Sequence, residues 1–151
     1  MNSKQLEHVL LLDNKIKENY IGIYPINELI EFKKSECLMI VNLDPSYMPG
    51  SHWVVLYKKN NQVVEYFDSV GNKPKNSIIN HLFAQNLTCI YNNKRVQDYN
   101  TNTCGLYCLF YSYYGCRNCN LNDIIHCFSN NLKRNESIVK QFMRIYMKSH
   151  M

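Results

Sequence analysis

Apolar positions recur with a helical period near both ends of the chain. After Ser3, and again through residues 136–148, apolar side chains fall three or four residues apart, which is the spacing of one helical face. The first pattern contains Leu6, Val9, Leu10 and Ile16, and the second contains Ile138, Phe142, Ile145 and Tyr146. We therefore expect a first helix capped by Ser3 and a last helix from about 136 to 148.

The middle of the chain has the patterns of strands. Residues 37–43 form a nearly continuous apolar run, typical of a buried strand. Residues 52–58 and 62–67 alternate and are rich in Val, Tyr and Phe, and Asn60-Asn61 separates them, so they predict a hairpin. Residues 87–91 indicate a further strand, followed by a short extended segment around Val96.

A long apolar stretch predicts the central helix. It runs from Thr103 to about Tyr114, is nearly all apolar or aromatic, and ends at Gly115. Asn102 or Thr101 is the expected cap, and a helix without a polar face is expected to be buried.

Two shorter helices are expected on either side of that central helix, over residues 76–85 and after Asn120. The elements together predict a single α+β domain over residues 1–151. In this fold class, helices would pack on a mixed or antiparallel sheet.

Composition narrows the class of protein. The 151 residues are 46% hydrophobic and 13% aromatic, as in globular proteins, and no apolar run approaches a membrane span. The first residues lack the layout of a secretory signal, so we expect a protein that is not secreted. The net charge of +5 is spread along the chain, compatible with weak DNA binding or with a solvated surface.

The cysteine count points to free thiols. The chain has seven cysteines, an odd number, and no predicted export signal, which favours a reducing compartment over a disulfide framework. Cys104 differs from the other six because it is expected in the first turn of the central helix. There the helix dipole and free N–H groups favour a thiolate. A cysteine in this position taken alone is more often one more buried cysteine, and the other candidate groups reverse that preference.

A base and an acid lie on the predicted hairpin. His52 begins one strand and could accept the thiol proton, and Asp68 ends the other and could orient the imidazole. With a three-residue connection that pairs Lys58 with Gln62, His52 falls directly opposite Asp68 on one face. A two-residue loop would pair Asp68 with Trp53 instead, so we predict an odd-length loop or a compensating bulge.

Gln97 lies seven residues before Cys104 and offers a neutral amide donor. A thiolate attacking an amide needs such a donor toward the developing oxyanion, where one donor is typically worth about 3 kcal/mol. The four groups His52, Asp68, Gln97 and Cys104 together suggest a thiol hydrolase.

These motifs resemble a known family. Gly50-Ser51-His52-Trp53, Phe67-Asp68-Ser69-Val70-Gly71, and Gln97 followed by Cys104-Gly105-Leu106-Tyr107-Cys108 are similar to the adenovirus-type cysteine proteases. The sequence around Asp68 is especially similar to that of the family members carried by Polinton/Maverick elements and small DNA viruses. The resemblance covers roughly residues 20 to 115. Asp68 stands where the adenovirus enzymes usually have Glu, and the segment after Cys104 is shorter than theirs.

The resemblance implies an endopeptidase that matures viral capsid or core precursor proteins at Gly-containing sites. It implies His52, Asp68 and Cys104 as the triad, Gln97 in the oxyanion hole, and no cofactor required for the chemistry. DNA and a viral peptide disulfide-linked to a cysteine activate the adenovirus enzymes, and Cys89 is the loosely matching position, with a strand-core cysteine as the alternative. A monomer in the virion or the host cell interior is the corresponding expectation.

Three alternatives remain. The Asp68-Ser69 pair is also similar to the SUMO-protease branch of the same clan, which implies a ubiquitin-like isopeptidase. A zinc-binding module could use Cys116, Cys119 and the neighbouring His126 and Cys127, although adjacent residues on a helix do not converge on one metal. A catalytically retired, peptide-binding relative is the third, and the intact set of four residues argues against it.

Overall fold

The computed structural model describes all residues, 1–151, as one α+β domain around a five-stranded mixed sheet. The strands lie in the order β1 to β5, with antiparallel pairing of β2 with β3 and β3 with β4, and parallel pairing at both edges. Their bounds are β1 Tyr20–Pro25, β2 Cys37–Asn42, β3 Trp53–Lys58, β4 Val63–Phe67 and β5 Thr88–Tyr91. The predicted fold class is confirmed.

Six helices surround the sheet. They are α1 Ser3–Leu10, α2 Asn14–Asn19, α3 Asn76–Phe83, α4 Cys104–Gly115, α5 Leu121–Ile125 and α6 Leu132–Ser149. None of them is both long and apolar enough to cross a bilayer. The central helix α4 contacts β3, α1, α5 and α6, so the prediction that it is buried is confirmed.

The core has two parts, one on each face of the sheet. The larger contains 22 buried residues and brings α1, α4, α5 and α6 onto one face, and the smaller contains 11 and places α3 on the other. Successive residues of β2 point alternately into the two parts, Leu38 and Ile40 into the larger, Met39 and Val41 into the smaller. This two-sided burial explains the nearly continuous apolar run in that strand.

Several local predictions were wrong. Asn2, not Ser3, caps α1. The Asn2 side chain accepts from the Gln5 backbone N–H, and the Gln5 side chain accepts from the Asn2 backbone N–H. The apolar spacing that suggested one helix continuing to Ile16 spans two, since Asp13 starts α2 by accepting from the Ile16 backbone. The strand β1 was not predicted at all.

The later helices also differ from prediction. The helix α6 begins at Leu132, four residues earlier than predicted, with Asn131 as its cap. Ile145 is 56% exposed rather than part of the apolar face. Neither Asn102 nor Thr101 caps α4, whose cap position is Thr103.

The hairpin has the predicted odd-length loop in a different register. Lys58 pairs with Val64 rather than with Gln62, and the loop closes through a hydrogen bond from Lys59 N to Val63 O of 3.0 Å. Extended past the ladder, this register places Asp68 opposite Val54, so that His52 is its diagonal neighbour on the same side of the chain. The prediction that His52 lies directly opposite Asp68 was wrong by two residues. Because side chains alternate along a strand, a shift of two residues keeps both side chains on the same face of the sheet.

Candidate active site

The hairpin end brings an imidazole and a buried carboxylate into contact. His52 Nε2 lies 2.7 Å from Asp68 Oδ1, and the Asp68 side chain is fully buried. The same oxygen accepts from the Val70 backbone N–H at 2.9 Å. Because Nε2 faces the carboxylate, Nδ1 is the ring nitrogen left for the thiol.

Asn92 is a supporting residue that the sequence did not point to. Its buried side chain accepts from the Asp68 backbone N–H at 3.0 Å and donates to the Asp68 carbonyl at 2.7 Å. This two-point contact fixes the backbone where β4 has ended. A lone Asn after a strand has no sequence signature, so only the spatial pairing identifies it.

Cys104 is the first residue of α4 and so lies in the first turn of the helix, as predicted. It lines the same cleft as His52. Burial alone would favour the neutral thiol. The proximity of His52 and its charge, and the nearby backbone of Trp53 and Gly105, nevertheless lower the pKa of Cys104 below its ordinary value. The structure therefore provides the electropositive surroundings that a nucleophilic cysteine needs.

The imidazole shifts in the complementary direction. Burial disfavours the imidazolium, but the hydrogen bond to Asp68 and then the contact with Cys104 raise the pKa of His52 to about 9. A thiol with a lowered pKa beside an imidazole with a raised one favours a thiolate–imidazolium pair at neutral pH. The Cys108 thiol, one turn further along α4, is buried and its pKa rises well above the ordinary value, so it is not a competing nucleophile.

Gln97 lies near the turn that carries the acid. Its backbone N–H donates to Ser69 O at 3.0 Å, and its side-chain Oε1 accepts from Ser69 Oγ at 2.6 Å. Its Nε2 lies 3.1 Å from both Thr101 O and Thr101 Oγ1. Gln97 is 3% exposed and does not line the cleft beside Cys104. The structure therefore holds the amide in a fixed network, in which it donates to Thr101.

A cleft of about 390 Å³ opens over the thiol. Its walls come from the N-terminal segment, the end of β2, the turn before β3 and the start of α4. The lining residues are Met1, Asn2, Ser3, Asn42, Gly50, Ser51, His52, Trp53, Asn102 and Cys104.

Gly105 is closely covered beside the nucleophile. A Cβ at this position would lie 3.2 Å from the Trp53 ring and 3.2 Å from the Met1 sulfur. The absence of a side chain lets Trp53 pack directly over the first turn of α4. The space beside the thiol is therefore narrow.

Two other sequence predictions concern cysteines. Cys89 lies on the edge strand β5, half-buried against the smaller core, and burial raises its pKa to about 11. All seven cysteines are free thiols. No group of three or more His, Cys, Asp and Glu side chains is placed to hold a metal ion, so Cys116, Cys119, His126 and Cys127 do not form the zinc site considered from the sequence.

Known proteins share the fold but little sequence. No protein-family model matches the chain, and no curated protein matches it. An ASFV protease superposes with a TM-score of 0.62 and 17% identity over 82% of this chain. ChlaDub1 from Chlamydia trachomatis gives 0.57 and 13% over 76% of the chain. The SUMO protease Ulp1 gives a TM-score of 0.52 and 14% identity over 100% of this chain.

The chain spans 60% of the length of the ASFV protease and of ChlaDub1, and 79% of that of Ulp1. At this level of identity the likeness concerns architecture. The protein has the Ulp1-like protease fold, and none of these matches distinguishes the adenovirus branch.

Proposed function

We propose that this protein is a cysteine endopeptidase in which Cys104 is the nucleophile, His52 the general base and acid, and Asp68 the residue that orients His52. The observation that carries the proposal is the Asp68–His52 hydrogen bond beside Cys104, a thiol with a lowered pKa in the same cleft as His52. The shared architecture of the protease fold supports it.

The proposed reaction has two stages. The Cys104 thiolate attacks the scissile carbonyl, and the His52 imidazolium gives its proton to the leaving amine, which leaves an acyl-enzyme. His52, again neutral, then takes a proton from water, which attacks the thioester and releases the acid. Asp68 keeps the tautomer and stabilises the imidazolium in both stages. The backbone N–H of Cys104 and the Gln97 amide are the proposed oxyanion donors.

Because Gln97 Nε2 donates to Thr101, its role as an oxyanion donor requires a small adjustment when substrate binds. Hydrogen bonds at catalytic sites commonly tighten only in the substrate complex. We propose that the Gln97 side chain rotates away from Thr101 while the backbone stays bonded to Ser69.

For the substrate, we propose viral capsid or core precursor proteins cleaved beside glycine. The narrow space around Gly105 and Trp53 favours a residue without a side chain next to the scissile bond. The fold likeness to the ASFV protease supports a viral setting. An isopeptidase acting on ubiquitin-like conjugates is the second candidate, favoured by the likeness to Ulp1.

Activation by a peptide or by DNA is a separate proposal, on which the chemistry does not depend. Cys89 lies on an edge strand, where an added peptide strand could pair. Its raised pKa and half-burial against the core would slow disulfide exchange. Assays with and without DNA, and with Cys89→Ser, separate these effects from catalysis.

The test is cleavage of a panel of capsid precursors and ubiquitin-like conjugates by purified protein. Cys104→Ala should lower kcat/KM by at least about 10⁴-fold with unchanged melting temperature. Cys127→Ala, which removes an exposed thiol, is the matched control and should retain activity. Undiminished cleavage by Cys104→Ala would refute the proposal, and preference for the conjugates would select the isopeptidase.

A further inference from the structure

The segment between Gln97 and Cys104 contains no helix or strand, although it joins two of the four proposed site residues. Within it, Thr101 Oγ1 donates to the Asp98 carbonyl at 2.8 Å. Gln97 Nε2 also donates to Thr101, and Tyr99 N donates to the Asp98 carboxylate, but no bond joins two backbone groups within the segment. A loop held internally only through side chains needs contacts from elsewhere to keep one conformation. These contacts come from the C-terminal helix α6.

Glu136, in the second turn of α6, receives three hydrogen bonds from this part of the chain. Its Oε1 accepts from Thr103 Oγ1 at 2.6 Å, and its Oε2 accepts from Tyr107 OH at 2.5 Å and from Asp98 N at 3.2 Å. The donors lie directly after Gln97, directly before Cys104, and three residues into α4. One carboxylate thus holds both ends of the loop.

The Glu136 side chain is committed to these contacts. The residue is 6% exposed and takes part in none of the four ion pairs of the protein. A carboxylate accepts hydrogen bonds and does not donate them, so its oxygens match the three donors. Burying a carboxylate destabilises the fold unless hydrogen bonds satisfy its oxygens. Loss of any of the three donors would therefore be unfavourable.

The contacts of Glu136 reach the residue that follows the proposed oxyanion donor. Thr103 Oγ1 lies 3.2 Å from Thr101 Oγ1, to which Gln97 Nε2 is bonded. Thr103 occupies the cap position of α4 without capping the helix through its side chain, and its hydroxyl bonds to Glu136 instead. The Thr101 proton goes to the Asp98 carbonyl, so the two threonine oxygens are in contact without a hydrogen bond. Glu136 therefore holds the start of α4 through Thr103. It holds the backbone next to Gln97 through Asp98 N.

We propose that Glu136 is a positioning residue, which fixes the separation of the Gln97 backbone from the Cys104 thiol. It touches neither reacting group and acts through Thr103, Asp98 and Tyr107. The inference rests on the proposed function, since a separation between donor and nucleophile matters only if an oxyanion forms there.

The test compares two reactions of Cys104. Peptide hydrolysis passes through a tetrahedral oxyanion, whereas alkylation by iodoacetamide is a displacement at carbon that forms none. For Glu136→Ala, we expect kcat to fall about 30-fold with KM within about threefold, because displacement of a catalytic group by about 1 Å can cost 10²-fold. Alkylation of Cys104 should stay within about threefold of the unchanged protein.

Two further variants separate positioning from general destabilisation. Val139→Ala removes a fully buried side chain from the same helix without touching the loop, and should lower the melting temperature with little change in kcat. Glu136→Gln keeps one acceptor oxygen and should recover part of the lost rate. Hydrogen exchange of amides 98–103 should rise in Glu136→Ala and not in Val139→Ala.

Equal losses of kcat in Glu136→Ala and Val139→Ala at matched melting temperature would overturn the inference, as would alkylation falling in parallel with kcat. Unchanged exchange in the loop would overturn it without any substrate. Hydrolysis that persists in Cys104→Ala would refute the proposed function instead.

Discussion

The two halves of the candidate site are held in place by different means. His52 and Asp68 lie 16 residues apart, at the ends of two paired strands, and the backbone ladder brings them together. Gln97 and Cys104 lie only seven residues apart, but the loop between them is fixed by Glu136, more than 30 residues later in the chain. Gln97 and Cys104 are the pair closer in sequence, yet their arrangement depends on a residue from a distant part of the chain.

The difference separates two tasks in the proposed chemistry. The hairpin half determines ionisation, because Asp68 and His52 shift the pKa of the imidazole and the thiol. The loop half determines how well the charge on the attacked carbonyl oxygen is stabilised. Changes to the first should affect every reaction of Cys104, and changes to the second only those that form an oxyanion.

Asp68→Asn should break the hairpin half with the largest effect. The amide oxygen can keep the bonds to His52 and Val70, but the negative charge is lost, and the pKa of His52 falls from about 9. We expect kcat/KM at pH 7 to fall about 1000-fold, by comparison with triad enzymes. Alkylation of Cys104 at pH 7 should slow as well, because less thiolate is present.

Asp44→Asn is the matched control, with the same change of charge on a half-buried loop residue. It should alter kcat/KM by no more than about threefold, as surface substitutions usually do little. Normal alkylation in Asp68→Asn together with lost hydrolysis would contradict the assignment of ionisation to the hairpin half.

Gln97→Ala should break the loop half with a smaller effect. One oxyanion donor is typically worth about 3 kcal/mol, so we expect kcat to fall about 100-fold with KM within about threefold. Alkylation of Cys104 should be unchanged, and steady-state kinetics with parallel mass spectrometry measures both.

Gln85→Ala provides the control for loss of a hydrogen-bonded glutamine. Its side chain bonds to the Phe32 backbone and to the His81 carbonyl, away from the cleft. Gln85→Ala should lose as much stability as Gln97→Ala and should keep the kcat of the unchanged protein. An undiminished kcat in Gln97→Ala would place the oxyanion donors elsewhere.

The fold could be predicted from the sequence where apolar patterns were long. The buried helix α4, the strand β2 and the hairpin all follow from composition and alternation over five or more residues. The edge strand β1 could not, because its residues are all half-buried and contain Gly22 and Pro25, which usually mark a break. The cap of α1 was misplaced by one residue because Asn2 and Ser3 are both good caps.

The proposed site divides in the same way. The residue types and spacing of His52, Asp68, Gln97 and Cys104 pointed to a site. The structure joins His52 to Asp68 by a hydrogen bond and places Cys104 in the same cleft as His52. Asn92 and Glu136 could not, because each acts through contacts more than 20 residues away in the chain. An isolated Asn or Glu in a polar stretch resembles a solvated residue until the fold buries it.

The most direct test of the central claim is the rate at which each cysteine is alkylated at pH 6. Cys104 is only 6% exposed, whereas Cys127 is an exposed residue. Partial burial of its thiol nevertheless raises the pKa of Cys127. Accessibility alone would make Cys127 the faster. The lowered pKa of Cys104 predicts the reverse, by at least about tenfold, with loss of the His52 contribution as the pH rises through about 9. Faster labelling of Cys127, with Cys104 unreactive until alkaline pH, would contradict the account.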